Sequence, residues 1–272
     1  MRKIGQGHKS EVFELPDGRI LKLFVPEFAS LAPTEAGFSA MLQHAGVVAP
    51  RADELVEIDG RPGIVFSGLR TGRTLSGEVR SRPWLILRAA RKLAELHDEL
   101  HACRSGELPS QRERITDEIE SARCVPLASR RLALATLEQL PDDDRVCHND
   151  IHMLNVIVYD DGAALIDWML ATRGNPLGDV ANALLQLRFG EQPKSLVARI
   201  ALEGGRAIFW RTYLRRYLQL RPGIAAELAR WELPVATGLA GRREGRMQRQ
   251  LLQRVETLVR VSGGKPSSSG SG

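Results

Sequence analysis

The chain has 272 residues, of which 43% are hydrophobic and 26% are charged, so it is long enough for one large domain or two modest ones and its composition excludes a disordered protein. No run of about 18 apolar residues is present, and residues 1–15 lack the continuous apolar core of a signal peptide. We therefore expect neither a transmembrane helix nor a leader sequence. The formal net charge of +5 allows an anionic substrate, nucleic acid or a membrane surface as partner.

The three cysteines, Cys103, Cys124 and Cys147, form an odd set without close pairing or metal-type spacing. Such a set is typical of reduced thiols, so we expect a cytoplasmic protein. A redox or nucleophilic role is the less favoured interpretation.

Residues 1–67 have the pattern of short β-strands around a single helix. Alternation of polar and apolar side chains predicts half-buried strands, and Pro, Asp and Gly mark the turns between them. The predicted elements are, in order, a strand at 11–15, a turn at 16–19, an apolar strand at 20–25, a helix from about 33 to 44, a strand near 52–58, a turn at 59–62 and a strand near 63–67. This order predicts a β-β-α-β-β N-terminal lobe over residues 1–67.

The Gly-, Thr- and Ser-rich segment 68–77 is predicted to be a hinge or linker between two lobes. From residue 78 to 262 the chain has mostly helical periodicity, interrupted by a β-rich island at 146–167. The helical part after Pro176 is expected to break at Gly204-Gly205, at Pro222-Gly223 and at Pro234. Residues 263–272 have the composition of a disordered tail.

The strongest chemical signal lies in the β-rich island. Residues 148–155 read His-Asn-Asp-Ile-His-Met-Leu-Asn, and a predicted β-hairpin follows that ends at Asp167. A carboxylate such as Asp150 can accept the proton of an attacking hydroxyl, and a second one such as Asp167 can hold Mg²⁺ against nucleotide phosphates. The amide oxygen of Asn155 can complete the Mg²⁺ shell without adding charge. The pattern therefore predicts phosphoryl transfer.

A glycine-containing segment near the N-terminus fits G-x-G-x-x-[GS]-x-V, with Gly5, Gly7 and Ser10 at the first three defined positions. Glycine lets the backbone approach phosphate oxygens closely and offer its N–H groups. Lys22 follows as the single charge of an apolar strand, and Glu35 in the next helix is its natural partner. We expect Lys22 to contact the nucleotide phosphates, the alternative being an edge-strand lysine that faces water.

The segment 148–167 resembles the catalytic loop of the aminoglycoside phosphotransferase and choline kinase superfamily, which carries H-x-D-x-x-x-x-N followed by I-D-x. The resemblance implies an α+β fold of the bilobal protein-kinase type, with a small antiparallel-sheet N-terminal lobe containing one helix and a larger, mostly helical C-terminal lobe. It also implies that Asp150 is the catalytic base and that Asn155 and Asp167 bind Mg²⁺. His148 and Asp179 are expected to support the loop.

Further segments resemble the same superfamily in the same order along the chain, over roughly residues 2–185. They are Ile-Val-Phe at 64–66 with Gly-Arg-Thr-Leu at 72–75, Leu-Ala-Glu-Leu-His at 93–97, and Asn-Pro-Leu-Gly-Asp-Val-Ala-Asn at 175–182. The first of these corresponds to the hinge, where backbone groups of Ser67 and Leu69 are expected to bind the nucleotide base.

Only eleven residues separate Asp167 from Asp179, which is too short for the activation segment with which a protein kinase binds a peptide. We therefore predict an ATP- and Mg²⁺-dependent kinase of small molecules with a hydroxyl acceptor. Two alternatives are a non-catalytic nucleotide-binding regulatory module and a nucleic-acid-associated kinase that uses the basic segment Gly241–Arg254. Little aromatic character lies near that segment, so nucleic acid is the less favoured partner.

The acceptor stays open between an aminoglycoside or other antibiotic and a choline-, thiamine- or sugar-like compound. Cationic acceptors are bound by carboxylates, for which residues 142–144 and Glu203 are candidates. The basic C-terminal third has the wrong sign for a polycationic acceptor, unless its arginines cover a solvated helix face, which is the simplest interpretation of Gly241–Arg254.

Overall fold

The computed structural model describes residues 1–68, 72–160, 162–189 and 196–263. The N-terminal region is a five-stranded antiparallel sheet in the order β1-β2-β3-β5-β4, with one helix, α1, packed against β4 and β5. Its elements are β1 (Arg2–Gln6), β2 (Ser10–Glu14), β3 (Ile20–Phe24), α1 (Leu31–His44), β4 (Arg51–Ile58) and β5 (Arg61–Ser67).

Strand β3 lies inside this sheet, because it pairs with β2 on one side and with β5 on the other. Four of its five residues are buried, and Lys22 is the half-buried exception. Lys22 is therefore not on an edge strand, which removes the alternative interpretation of this residue.

The turn between β4 and β5 has two residues in the left-handed conformation, Asp59 with φ 53° and Gly60 with φ 72°. This conformation matches the type I′ turn, whose twist suits an antiparallel hairpin. The predicted turn was longer, and the structure begins β5 already at Arg61.

The C-terminal region is mostly helical and contains two small antiparallel sheets, β10-β7 and β6-β8-β9. Its elements are β6 (Arg73–Thr74), α2 (Leu75–Ser81), α3 (Ile86–Leu100), α4 (Gln111–Ser121), α5 (Leu127–Glu138), β7 (Arg145–Cys147), β8 (Val156–Val158), β9 (Ala163–Leu165), β10 (Thr172–Gly174), α6 (Pro176–Arg188), α7 (Leu196–Leu220), α8 (Ala225–Arg242) and α9 (Gly245–Gly263). The combination of an antiparallel N-terminal sheet and a helical C-terminal region confirms the predicted α+β fold class.

The chain enters the C-terminal region through a close backbone contact. A Cβ atom on Gly72 would lie 2.4 Å from the carbonyl oxygen of Val158, so only glycine fits beside β8. Thr74 then caps α2, since its Oγ1 accepts a hydrogen bond from the N–H of Gly77 at 3.0 Å. Residues 73–77 thus belong to a short strand and a helix start, whereas residues 69–71 lie outside the described part.

Two of the three predicted helix breaks are wrong. Helix α7 continues through Gly204-Gly205 because it packs along α3 over a long contact. Helix α8, which packs against α4, α6 and α9, continues through the buried Pro234, so tertiary packing outweighs the hydrogen bond that proline removes. The third break is confirmed: α7 ends at Leu220 and Gly223 has φ 90°.

The main hydrophobic core joins α3, α4, α6, α7 and α8, and a smaller cluster lies under the N-terminal sheet against α1. In the part of the chain that the structure describes, no helix combines the length and the apolar character needed to cross a membrane.

Candidate active site

The loop between β7 and β8 is held in place by a buried carboxylate from the first turn of α6. Asp179 accepts hydrogen bonds from the backbone N–H of His148 at 2.6 Å and from that of Asn149 at 2.8 Å. Asn149 has φ 59°, and its carbonyl oxygen accepts a hydrogen bond from Asn182 Nδ2 at 2.8 Å. The strained loop is therefore fixed from α6, and Asp150 projects from a rigid support, as the sequence predicted for Asp179.

Asp179 is itself part of a fully buried cluster. Its Oδ2 lies 3.1 Å from His97 Nε2 and 3.4 Å from His101 Nε2. The Nδ1 atoms of the two histidines lie 2.6 Å and 2.7 Å from the hydroxyl groups of Tyr213 and Tyr217 on α7. Burial raises the pKa of Asp179, but the charge of His97 and the hydrogen bond of His101 outweigh it, so the pKa is well below its ordinary value and the anchor stays ionised.

The side chain of Asp150 has three polar neighbours. Asn155 Nδ2 donates to its backbone oxygen at 3.0 Å and to its Oδ2 at 3.3 Å, His152 Nε2 lies 3.7 Å from Oδ2, and Arg243 Nη2 donates to Oδ1 at 3.3 Å. Burial raises the pKa of Asp150, but the nearby His152 and the charges of His148 and Arg243 outweigh this effect, so the pKa lies below its ordinary range. Asp150 is therefore ionised at neutral pH.

Asn155 directly precedes β8 and Asp167 follows β9, so both lie at the open end of the β8-β9 hairpin. The carbonyl oxygen of Asn155 accepts a hydrogen bond from the N–H of Ile166 at 3.0 Å, which brings the residue before Asp167 beside Asn155. Asn155 donates its Nδ2 to Asp150, so its Oδ1 is the atom that can ligate a cation. Asp167 is exposed and has φ 65°, a left-handed conformation rare for a non-glycine residue and common at functional sites.

The residues on either side of the loop support it by packing. His148 Nε2 lies 3.0 Å from the carbonyl oxygen of Ile166, and its ring packs on Trp168 with 4.5 Å between ring centroids. Burial lowers the pKa of His148, and the charges of Asp150 and Asp167 oppose that shift, so both carboxylates lie within its electrostatic range. The His148 ring is thus held against Ile166 and Trp168, which agrees with its predicted supporting role.

The N-terminal region supplies a buried ion pair. Lys22 Nζ on β3 donates to both carboxylate oxygens of Glu35 on α1, each at 2.7 Å. Burial raises the pKa of Glu35, the pairing with Lys22 opposes this, and the charge of Asp167 raises the pKa again. Asp167 is therefore within electrostatic range of the ion pair of the N-terminal region.

The predicted phosphate-binding segment forms the turn between β1 and β2. The N–H of Gly7 donates to the carbonyl oxygen of Ser10 at 2.8 Å, and Ser10 is buried opposite Phe24 of β3. Gly5 sits at an irregularity of the β1-β2 ladder and faces Val12. The turn is thus attached to the strand next to β3, the strand that carries Lys22.

The predicted hinge lies at the end of β5. Ser67 is its last residue, and its Oγ donates to Asp53 Oδ1 at 2.9 Å. Leu69 lies outside the described residues.

The sequence did not single out Arg243, which the structure places against Asp150. Its only sequence signal was membership of the basic run Gly241–Arg254. Part of that run is not a solvated helix face, because Arg242 pairs with Glu118 and Arg254 with Glu232. Gln186, which accepts a hydrogen bond from Arg243 at 2.6 Å, had no sequence signal.

An aspartate held on a fixed loop, a neighbouring Asn–Asp pair and a lysine–glutamate pair from an antiparallel sheet define a kinase-like phosphotransferase. A comparison with family profiles agrees: the profile described as the phosphotransferase enzyme family, APH, matches residues 1–221. The chain belongs to this family, which confirms the resemblance seen in the sequence.

Solved structures share the fold at low sequence identity. A ternary complex of a thermostable mutant of aminoglycoside phosphotransferase APH(4)-Ia with AMP-PNP and hygromycin B has a TM-score of 0.66 and 17% identity, over 97% of this chain and 94% of that one. An amicoumacin kinase in complex with AMP-PNP, Ca²⁺ and Ami has a TM-score of 0.60 and 13% identity, over 96% and 87%. Aminoglycoside phosphotransferase APH(3'')-Id from Streptomyces rimosus has a TM-score of 0.52 and 17% identity, over 87% and 92%. No curated protein matches the sequence at a significant level.

Proposed function

We propose that this phosphotransferase moves the γ-phosphoryl group of ATP to a hydroxyl group of a small molecule, with Asp150 as the catalytic base. Two observations together support the proposal. Asp150, Asn155 and Asp167 lie on one loop and the hairpin that follows it. The Lys22–Glu35 pair of the N-terminal sheet lies within electrostatic range of Asp167. In the balanced reaction, the acceptor oxygen bonds to the γ-phosphorus, the bond to the β,γ-bridging oxygen breaks, ADP takes the electron pair, and the acceptor proton passes to Asp150.

Asp150 contributes mainly by orienting the acceptor hydroxyl. Because its pKa is lowered, it is ionised and ready to accept a hydrogen bond from that hydroxyl, but it is a weak base toward a free alcohol. The proton therefore moves as the oxygen–phosphorus bond forms. A positioned base of this kind contributes roughly 10²- to 10⁴-fold to the rate.

The nucleotide is proposed to lie between the N-terminal sheet and the catalytic loop. Lys22, held by Glu35, would contact its phosphates, the turn containing Gly5, Gly7 and Ser10 would cover them, and backbone groups at Ser67 and Leu69 would face the base. Similar kinases solved with AMP-PNP support nucleotide binding at such a site. This reaction consumes ATP, so we place the protein in the cytoplasm.

The proposed metal ion is Mg²⁺, with Asn155 and Asp167 as ligands. Their donor set of one carboxylate and one amide oxygen fits a hard cation, and the exposed Asp167 carboxylate has no side-chain partner among the described hydrogen bonds and ion pairs. When bound, Mg²⁺ would neutralise charge on the transferred phosphoryl group. Lys22 and the amides of the glycine-containing turn would share this task.

The proposed acceptor is a small molecule because α6 begins at Pro176, nine residues after Asp167, which leaves no room for a peptide-binding segment. The similar solved kinases act on antibiotics or were solved with them, which supports a compound of that size.

The test is incubation of the purified protein with ATP, Mg²⁺ and a panel of hydroxylated antibiotics, amino alcohols and sugars, with detection of the phosphorylated product by mass spectrometry and of ADP by a coupled assay. For one class of acceptor we expect a product that is about 80 Da heavier than the acceptor itself, with one ADP released per product molecule. Phosphorylation of proteins without any small-molecule product would contradict the proposal.

A further inference from the structure

Arg243 lies beside Asp150, the proposed catalytic base. It directly follows α8, and its Nη2 donates to Asp150 Oδ1 at 3.3 Å and to Gln186 Oε1 at 2.6 Å. The side chain is 31% exposed, so it is neither a core residue nor a free surface arginine.

The arginine is held by the same residues that hold the catalytic loop. Gln186 Nε2 donates to Asn182 Oδ1 at 3.1 Å, and Asn182 Nδ2 donates to the carbonyl oxygen of Asn149 at 2.8 Å. A continuous chain of hydrogen bonds thus connects Arg243 to the residue before Asp150. This chain fixes the guanidinium group relative to the reacting carboxylate, as a built binding position requires.

Arg243 still has donor capacity to offer. Its Nε–H is buried and has no acceptor in the described part of the chain. Both N–H groups of Nη2 are taken by Asp150 and Gln186, and the Nε–H is too deeply buried for a ligand to reach it. The Nη1 group donates to no acceptor in the part of the chain that the structure describes, so a carboxylate or phosphate of a ligand can accept charge-assisted hydrogen bonds from it.

The acidic groups that could have served a cationic acceptor are already paired. Asp143 and Asp144 pair with Arg104, and Asp142 lies 3.5 Å from Arg112. Glu203 lies within electrostatic range of Arg206. A polycationic acceptor would therefore meet Arg243 beside Asp150 without a compensating free carboxylate from either of these places.

We propose that Arg243 is a specificity-determining residue that selects acceptors with an anionic group, a carboxylate or a phosphate, close to the hydroxyl that is phosphorylated. This inference rests on the proposed phosphotransfer function. The anion displaces neither catalytic group: it binds the Nη1 group of Arg243, while Nη2 keeps its contacts with Asp150 and Gln186. Ammonium groups at the same position are repelled.

The experiment uses acceptor series in which only the charged substituent changes: glucose, glucuronate, glucose 1-phosphate and glucosamine, and a second series of butane-1,4-diol, 4-hydroxybutyrate, 4-hydroxybutyl phosphate and 4-aminobutanol. Phosphorylation of each member by the full-length protein is followed by mass spectrometry and ADP release. We expect kcat/KM for the preferred anionic member to exceed that of the neutral member by roughly tenfold or more, with the ammonium member lowest. Comparison of carboxylate with phosphate identifies which anion fits.

Variants of Arg243 separate selection from a structural role. Arg243→Gln is expected to raise KM for the anionic acceptor by roughly 10- to 100-fold, so that it equals KM for the neutral acceptor. KM for ATP should stay unchanged. Arg243→Lys keeps the charge but loses the planar guanidinium group. Its KM for the anionic acceptor is expected to lie between that of the wild type and that of Arg243→Gln. Arg242→Gln removes the neighbouring charge, which pairs with Glu118 instead, and is expected to keep the wild-type preference.

The possible failures are distinguishable. Absence of transfer to every member of these series and of the broader panel would contradict the phosphotransfer function itself. Transfer with the ammonium member preferred, or an anion preference that survives in Arg243→Gln, would overturn only the assignment of Arg243.

Discussion

Lys22 Nζ lies 2.7 Å from both carboxylate oxygens of Glu35, and this pair joins the central strand β3 to helix α1. The side chains are 20% and 9% exposed, so the pair is largely removed from solvent. Because Lys22 Nζ donates to both carboxylate oxygens, the position of its ammonium group is fixed. The charge of Asp167 raises the pKa of Glu35, so the proposed metal ligand lies within electrostatic range of the pair.

Replacement of Lys22 by Met should weaken nucleotide binding without unfolding the protein. The methionine keeps the volume and the apolar contacts but removes the charge that would face the phosphates, so we expect KM for ATP to rise by roughly tenfold and kcat to fall. Glu35 can take up a proton when its partner is lost, because burial already raises its pKa.

Steady-state kinetics and thermal unfolding of Lys22→Met test this prediction. Arg19→Gln is the control, since Arg19 forms exposed pairs with Asp17 and Glu54 at the edge of the same sheet. Equal losses in the two variants would show that Lys22 matters only for the fold.

Asp167→Asn should remove the metal dependence of nucleotide binding. The exposed carboxylate is the proposed charged ligand of Mg²⁺, and an amide at this position lowers cation affinity strongly. In calorimetric titrations, we expect the wild-type protein to bind ATP more tightly with Mg²⁺ than without, and the variant to show no such difference.

Asp160→Asn is the matched control for that titration, because Asp160 is an exposed aspartate on the same hairpin. It is expected to keep the wild-type metal dependence. An unchanged metal dependence in Asp167→Asn would show that Asp167 is not a ligand of Mg²⁺.

The buried His101 should make the fold sensitive to mild acid. Burial, followed by the charge of His97, lowers the pKa of His101 to about 3, whereas the unfolded chain has the ordinary value of 6.5. Below pH 6.5 the unfolded state therefore binds a proton that the folded state does not. The contribution of His101 to the free energy of unfolding is therefore fully present above pH 6.5 and is lost as the pH falls. From this residue alone, the loss between pH 7 and pH 5 is about 2 kcal/mol.

Denaturant unfolding at pH 7, 6 and 5 measures this loss. His101→Gln should reduce the pH dependence of the free energy of unfolding by about 2 kcal/mol over that interval. His44→Gln, which replaces a histidine that is 70% exposed, should keep the wild-type dependence. If His101→Gln kept it too, the histidine would not be buried in its neutral form.

Much of the fold was predictable because local patterns agree with the final packing. The turn at Asp59 and Gly60 and the strand that carries Lys22 follow from glycine and apolar periodicity alone. The order of His148, Asp150, Asn155 and Asp167 along the chain was specific enough to predict the family, which the family profile confirms.

What the sequence could not reveal depends on contacts between distant segments. Pro234 and Gly204-Gly205 predict breaks locally, but neighbouring helices keep α8 and α7 continuous. Arg243 lies 93 residues from Asp150, and His101 lies 116 residues from Tyr217. No local period encodes such pairs, since they arise only when α7 packs against α3 and when the end of α8 meets α6 and the loop of Asp150.

The most direct measurement of the central claim compares turnover and nucleotide binding in Asp150→Asn. This change keeps the shape of the side chain and its contact with Asn155 but removes the proton acceptor. We predict that phosphotransfer falls by roughly 10²- to 10⁴-fold while the affinity for ATP and Mg²⁺, measured by calorimetry, stays close to that of the wild type. Turnover at the wild-type rate in this variant would contradict the assignment of Asp150 as the catalytic base.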